Sequence, residues 1–138
     1  MGPLEALLPH RPPLVLLDGV RRVTDELCHA WLRVSPQAWY AQADGSMPAW
    51  FGIELMAQAI AAYSGSSSAT QGQPPRIGFL LGTQSYACSL DAFPAGAVIE
   101  ILARPCFRDD SGLFAFQCEL RIADTRIAHS TLKVFQKP

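Results

Sequence analysis

Between Cys28 and Val34 the chain alternates, with Ala30, Leu32 and Val34 on one side and His29, Trp31 and Arg33 on the other. That period of two predicts a half-buried strand. Leu14 to Val23 reads as the strand before it, with Asp18-Gly19 a bulge or bend. Upstream, Pro3 to Leu8 fits a short helix, because proline suits the first helical turn and Glu5 complements the dipole there. Pro9, Pro12 and Pro13 then impose an extended or turning path around His10 and Arg11. Residues 35–46 hold Pro36, Asp44, Gly45 and Ser46 and read as a loop.

From about Pro48 to about Ser68 the period changes to that of a helix. Ile53, Met56, Ala57, Ile60, Ala61 and Ser64 form one stripe, and the opposite side, with Leu55, Ala59, Ala62 and Tyr63, is nearly as apolar. A helix apolar on most sides is buried on most sides, so other elements must wrap around it, and its alanines let them come close. After the breaker at residues 72–76, strand-like stretches run from Ile77 to Leu90, Ala97 to Phe107, Leu113 to Ile122 and Arg126 to Phe135. Phe93-Pro-Ala-Gly96, Asp109-Asp-Ser-Gly112 and Ala123-Asp-Thr125 punctuate them as turns. One long helix among about six strands is α+β, and a curved antiparallel sheet wrapped around that helix is the economical packing.

Composition narrows the possibilities. At 138 residues there is room for one core, so residues 1–138 are read as a single domain. Hydrophobic residues make up 49% and charged residues 17% of the chain, which excludes a disordered protein and leaves few charges to solvate the surface. Part of that surface is therefore expected to be covered by a partner. Eleven basic residues against twelve acidic ones give −1, and Arg21-Arg22 is the only basic pair, so nucleic acid is not expected as a partner. Cys28, Cys88, Cys106 and Cys118 are far apart, with no CxxC or CxxH pairing, and read as small buried hydrophobes in a reducing cytoplasm rather than as a zinc site. No apolar run approaches the roughly 20 residues that span a bilayer, and MGPLEALLPHRPP lacks the pattern of a secretory leader. A cytoplasmic protein without a membrane partner is expected.

Three stretches, in order along the chain, carry a family resemblance. Leu8-Pro-His-Arg-Pro-Pro-Leu-Val-Leu-Leu-Asp18 resembles the LPHRxPxLLxD opening of 3-hydroxyacyl-acyl-carrier-protein dehydratases of the FabZ type. Met47-Pro-Ala-Trp-Phe-Gly-Ile-Glu-Leu-Met-Ala-Gln-Ala59 resembles their MPGxxxxEAxAQA helix, and Phe93-Pro-Ala-Gly96 sits where they have a VxPGD turn. With MPAWxGIExMAQAIAA and PPRIGFLLGT, the whole pattern is similar to the ApeP-like dehydratases of aryl-polyene gene clusters. The resemblance implies the hotdog fold, dehydration of a 3-hydroxyacyl thioester on acyl carrier protein to the trans-2-enoyl thioester, and no cofactor. It also implies active sites formed between two protomers whose sheets join edge to edge, in a homodimer or in a heterodimer with a FabZ-like dehydratase.

One departure changes the expected site. The FabZ type carries a catalytic histidine fourteen residues before the helix glutamate, and that position here is Tyr40; no histidine lies between His29 and His129. The resemblance carries over Glu54 as one acid/base group, and His10 of the LPHR segment becomes the candidate for the other. Eliminating water needs a base for the proton next to the carbonyl, an acid for the departing hydroxyl, and donors for the charge on the thioester oxygen. The backbone amides of Ala49, Trp50 and Phe51 are placed for the last task if the helix begins near Pro48. Glu54 is the sole charged residue between Asp44 and Arg76, a carboxylate in an apolar helix, although a glutamate near a helix start is also favoured by the dipole alone. Gln58, one turn on, either holds that carboxylate or makes an ordinary helix contact. Tyr40 is expected to line the pocket, Arg11 to be solvated or to meet a phosphopantetheine phosphate, and Asp44 to make a turn. Two alternatives stay open: a hotdog thioesterase using Glu54, or a non-catalytic subunit of a heteromeric dehydratase.

Overall fold

In the computed structural model, residues 15–70 and 78–136 are described. The expected short helix at residues 3–8, His10 and Arg11 lie outside them. Strands β1 (Gly19–Thr24) and β2 (Leu27–Arg33) form a hairpin, and a two-residue strand, β3 (Met47–Pro48), leads into the helix α1 (Phe51–Thr70). Then follow β4 (Gly78–Cys88), a second short strand β5 (Ala92–Phe93), β6 (Val98–Arg108), β7 (Leu113–Ile122) and β8 (Thr125–Gln136). The main sheet is antiparallel in the order β1-β2-β6-β7-β8-β4, so β1 and β4 are its edges, while β3 and β5 pair separately.

The helix touches all six strands of this sheet. Six strands at about 4.8 Å spacing are far wider than the roughly 10 Å diameter of a helix, so the sheet must curl around α1 to make those contacts. No residue from Phe51 to Gly65 is exposed, as an all-round apolar helix requires. Its covered side differs from the expected stripe: Leu55, Ala59 and Ala62 join Met56 and Ile60 in full burial, packed with Ile99, Ile101, Phe116, Leu120 and Leu132 from the strands. The other side of the helix, Ile53, Glu54, Ala57 and Ala61, is only half-buried. Apart from Glu54, this uncovered side is apolar.

The first strand starts later than its sequence pattern indicates. Val15 to Asp18 stay outside the ladder because the Leu16 and Leu17 amides turn inward to a helix side chain, the Gln58 amide oxygen. The Asp18 N–H then reaches the Trp31 carbonyl at 2.9 Å, and pairing begins. The expected bulge is displaced as well, lying between Val20 and Arg22 rather than at Asp18-Gly19. Two of the four cysteines, Cys28 and Cys118, are buried as expected, but Cys88 is half-buried and Cys106 is exposed at the irregular end of β6. Burial pushes both the Cys28 and the Cys118 thiols up to about 12.

The loop before the helix is held by side chains rather than by a ladder. Asp44 accepts from both the backbone and the hydroxyl of Ser46, which holds its carboxyl below the usual range, and Gln42 donates to the Ser46 hydroxyl. Between them Gly45 has φ 85°, and a Cβ there would lie 2.8 Å from Pro36 Cβ and 3.1 Å from Ala95 Cβ. A left-handed non-glycine residue costs about 1–2 kcal/mol, to which the contact adds. Gly45→Ala is therefore expected to destabilise the protein by about 2 kcal/mol and to lower the thermal midpoint by about 6–10 °C. An unchanged melting curve would show that this loop does not anchor the entry to α1.

Candidate active site

Glu54 stands in the first turn of α1, and Gln58 follows it on the same face. The Gln58 side chain is fully buried and reaches in two directions. Its amide oxygen accepts from Leu16 N at 2.9 Å and from Leu17 N at 3.4 Å, and its amide nitrogen donates to Glu54 Oε1 at 3.1 Å. The two backbone donors fix which end of the amide is oxygen, so the nitrogen must face the carboxylate. A buried side chain held at its far end is a rigid positioner for the half-buried Glu54. Of the two roles open to Gln58, the structure brings it to the carboxylate and to the chain entering β1 at once.

The helix start is set by the small β3–β5 ladder, in which Met47 faces Phe93 and Pro48 faces Ala92. Ala49 N then donates to Asp91 O at 3.1 Å, so this amide, expected among the oxyanion donors, is already used by the ladder's continuation. Gly52 N turns back to Ala49 O at 3.0 Å. Among the described residues the Trp50 and Phe51 N–H groups meet no acceptor, which is the normal condition of a first helical turn. Of the three amides expected as oxyanion donors, Ala49 alone has a backbone acceptor in place. Trp50 is 69% exposed and Trp39 57% exposed, and both pack against Phe51, at ring-centroid distances of 6.2 and 5.6 Å.

Tyr40, in the position of the missing histidine, is buried, with its ring 6.0 Å from that of Phe51. Its hydroxyl accepts from Ser35 N at 2.9 Å, which makes it a brace for the loop. Neither described histidine is placed at the helix start: His29, on β2, bonds Glu100 at 2.9 Å, and His129 is exposed on β8. Among the described residues, no group of three His, Cys, Asp or Glu side chains could hold a metal ion. Among the described residues, no helix is long and apolar enough to cross a membrane. Sequence reasoning missed Tyr86, whose hydroxyl donates to Ala49 O at 2.7 Å from the edge strand β4. Nothing in a strand pattern signals this, because it depends on an irregularity of β4 between Gln84 and Ala87.

The family model of the ApeP dehydratase, ApeP-like, matches residues 2–138. The chain belongs to the ApeP-like dehydratase family. A chain of the solved dehydratase heterocomplex ApeI:P from Xenorhabdus doucetiae is 31% identical and superposes with a TM-score of 0.93. The match covers 100% of this ApeP-like chain and 93% of that one. More distant structures share the hotdog fold alone. The smu.793 protein of Streptococcus mutans UA159, solved with acetyl CoA, is 13% identical at a TM-score of 0.71, covering 94% of this chain and 95% of that one. A hypothetical thioesterase of Streptococcus pneumoniae TIGR4, solved with coenzyme A, is 12% identical at 0.66, covering 86% and 84%. No curated protein matches the chain in sequence.

Proposed function

We propose that this ApeP-like chain dehydrates a 3-hydroxyacyl thioester, carried on acyl carrier protein, to the trans-2-enoyl thioester, with Glu54 as one member of the acid–base pair. The observation that carries this reading is the Gln58 bridge, which holds the carboxylate of Glu54 at a fixed place beside the helix start. In the reaction a base removes the proton next to the thioester carbonyl, the carbon–oxygen bond of the 3-hydroxyl breaks, and an acid supplies the proton that leaves with it as water. The Trp50 and Phe51 amides stabilise the charge that develops on the thioester oxygen. Neither a metal nor an organic cofactor enters these steps.

The second acid–base group is a histidine, taken from His10 or from a second subunit. A FabZ-like dehydratase subunit that carries the catalytic histidine absent here at Tyr40 is the partner we favour over a second copy of this chain. Two things support it: the relative at 31% identity was solved as a dehydratase heterocomplex, and the uncovered side of α1, apolar around Glu54, suits coverage by another subunit. The test is mass spectrometry of a 3-hydroxyacyl carrier-protein thioester incubated with this protein alone, with a FabZ-like subunit alone, and with both. Loss of one water only in the mixture, or more than tenfold faster there, is expected. Loss of water with this protein alone would favour His10. A free acid with either would replace dehydration by thioester hydrolysis, and the same rate for the FabZ-like subunit with and without this chain would make it a non-catalytic companion.

A further inference from the structure

We propose that Tyr86 is a positioning residue: its phenol fixes the peptide unit joining Ala49 to Trp50 and thereby aims the Trp50 N–H at the thioester oxygen. The inference rests on the dehydratase reading above and supplies the residue that sets the donor's direction. A peptide unit is planar and rigid, so a carbonyl held on one side determines where the N–H on the other side points. Ala49 O is held twice, by the Tyr86 hydroxyl at 2.7 Å and by Gly52 N at 3.0 Å. The N–H of the same unit, that of Trp50, meets no acceptor among the described residues.

The route by which Tyr86 arrives there is costly. Gln84 pairs with Thr131 and Ala87 with His129, so Ser85 and Tyr86 together oppose the single residue Ser130 in a β-bulge. Ser85 has φ 51°, a conformation that costs a non-glycine residue about 1–2 kcal/mol. Strained bulges of this kind persist where they re-aim a side chain, and here the side chain re-aimed is the phenol. Gly52 leaves the space for it, since a Cβ at that position would collide with the Tyr86 hydroxyl. Burial pushes the Tyr86 phenol above its ordinary value, so it remains a protonated donor throughout the neutral range.

The experiment compares Tyr86→Phe with wild type in whichever form dehydrates, this protein alone or with the FabZ-like subunit. A saturated acyl carrier-protein thioester, which has no hydroxyl to lose, serves as the bound probe. Tyr86→Phe is expected to lower kcat about tenfold, part of the 10²–10³ that a whole oxyanion donor supplies, with KM within about twofold. The thioester carbonyl stretch of the bound probe is expected to move back towards that of the free thioester, which loss of a purely structural contact would not cause. Gly52→Ala displaces the phenol by another route and should lower kcat similarly, while adding Tyr86→Phe to it costs little more. If Tyr86→Phe melts far below wild type, Gly52→Ala carries the same carbonyl measurement. Wild-type kcat and carbonyl stretch in Tyr86→Phe, with wild type turning over, would overturn the positioning role and leave the dehydratase reading intact. Absence of enoyl product from wild type, alone and with the subunit, would overturn that reading and this role with it.

Discussion

Exchanging Glu54 for glutamine is expected to slow enoyl-thioester formation by about 10² to 10⁴, the range that a well-placed acid or base contributes. The substitution keeps the shape of the side chain and leaves an amide oxygen for Gln58 Nε2, now 3.1 Å from Glu54 Oε1, so the fold should not change. Thermal midpoints within about 2 °C of wild type would separate lost chemistry from lost structure. Glu54→Asp tests placement rather than charge. It withdraws the carboxylate by about one carbon–carbon bond, and displacement on the order of 1 Å costs about 10²-fold in rate. If Glu54→Gln retained activity within about threefold, Glu54 would be an ordinary helix-start glutamate favoured by the dipole, and the acid–base pair would have to be sought elsewhere.

Hydrophobic periodicity made the architecture legible because burial is regular along an element. Ala30, Leu32 and Val34 alternate inward, and a helix apolar on nearly every side could only sit inside a curled sheet. Irregular backbone was not legible. Leu16 and Leu17 read as strand residues, yet their amides serve Gln58 across 42 and 41 residues of sequence, and no local pattern encodes such a distant partner. The bulge that brings Tyr86 to Ala49 is hidden for the same reason, since Ser85 carries no mark of a left-handed backbone. Within the candidate site, Glu54 and Gln58 are one turn apart in the sequence and hydrogen-bonded in the structure, whereas no sequence pattern shows that the Ala49 amide already has an acceptor. Its N–H follows the β3–β5 ladder to Asp91, and two-residue strands lie below what alternation can reveal. Tyr40 shows the converse: a position picked out for lacking a histidine is filled by a residue whose hydroxyl secures the loop.

Gln58 gives the largest expected loss of stability, and its variants divide the amide's two tasks. Gln58→Ala removes the acceptor of Leu16 N and Leu17 N from a fully buried site and leaves a void. Each buried donor left without a partner costs about 1–3 kcal/mol, and the weaker 3.4 Å bond contributes at the lower end. With the cavity, about 3 kcal/mol is expected, a fall of roughly 10 °C in thermal midpoint. Gln58→Glu keeps an acceptor for the two amides but sets a second carboxyl against Glu54. Two carboxyls at hydrogen-bond distance cannot both ionise cheaply, so the pair shares a proton and one of them titrates above the ordinary glutamate value of about 4.3. A group whose folded-state value is raised favours the fold at low pH, and that advantage disappears as pH rises through the raised value. Gln58→Glu should therefore melt close to wild type near pH 4 and progressively lower towards pH 8, whereas the deficit of Gln58→Ala should be nearly independent of pH. Turnover should fall in both, in Gln58→Ala because the carboxylate loses its brace and in Gln58→Glu because its protonation is shared. Wild-type turnover in a well-folded Gln58→Glu would mean that the donor on Glu54 Oε1 has no part in the reaction. A pH-independent melting deficit would mean that the two carboxyls do not face each other.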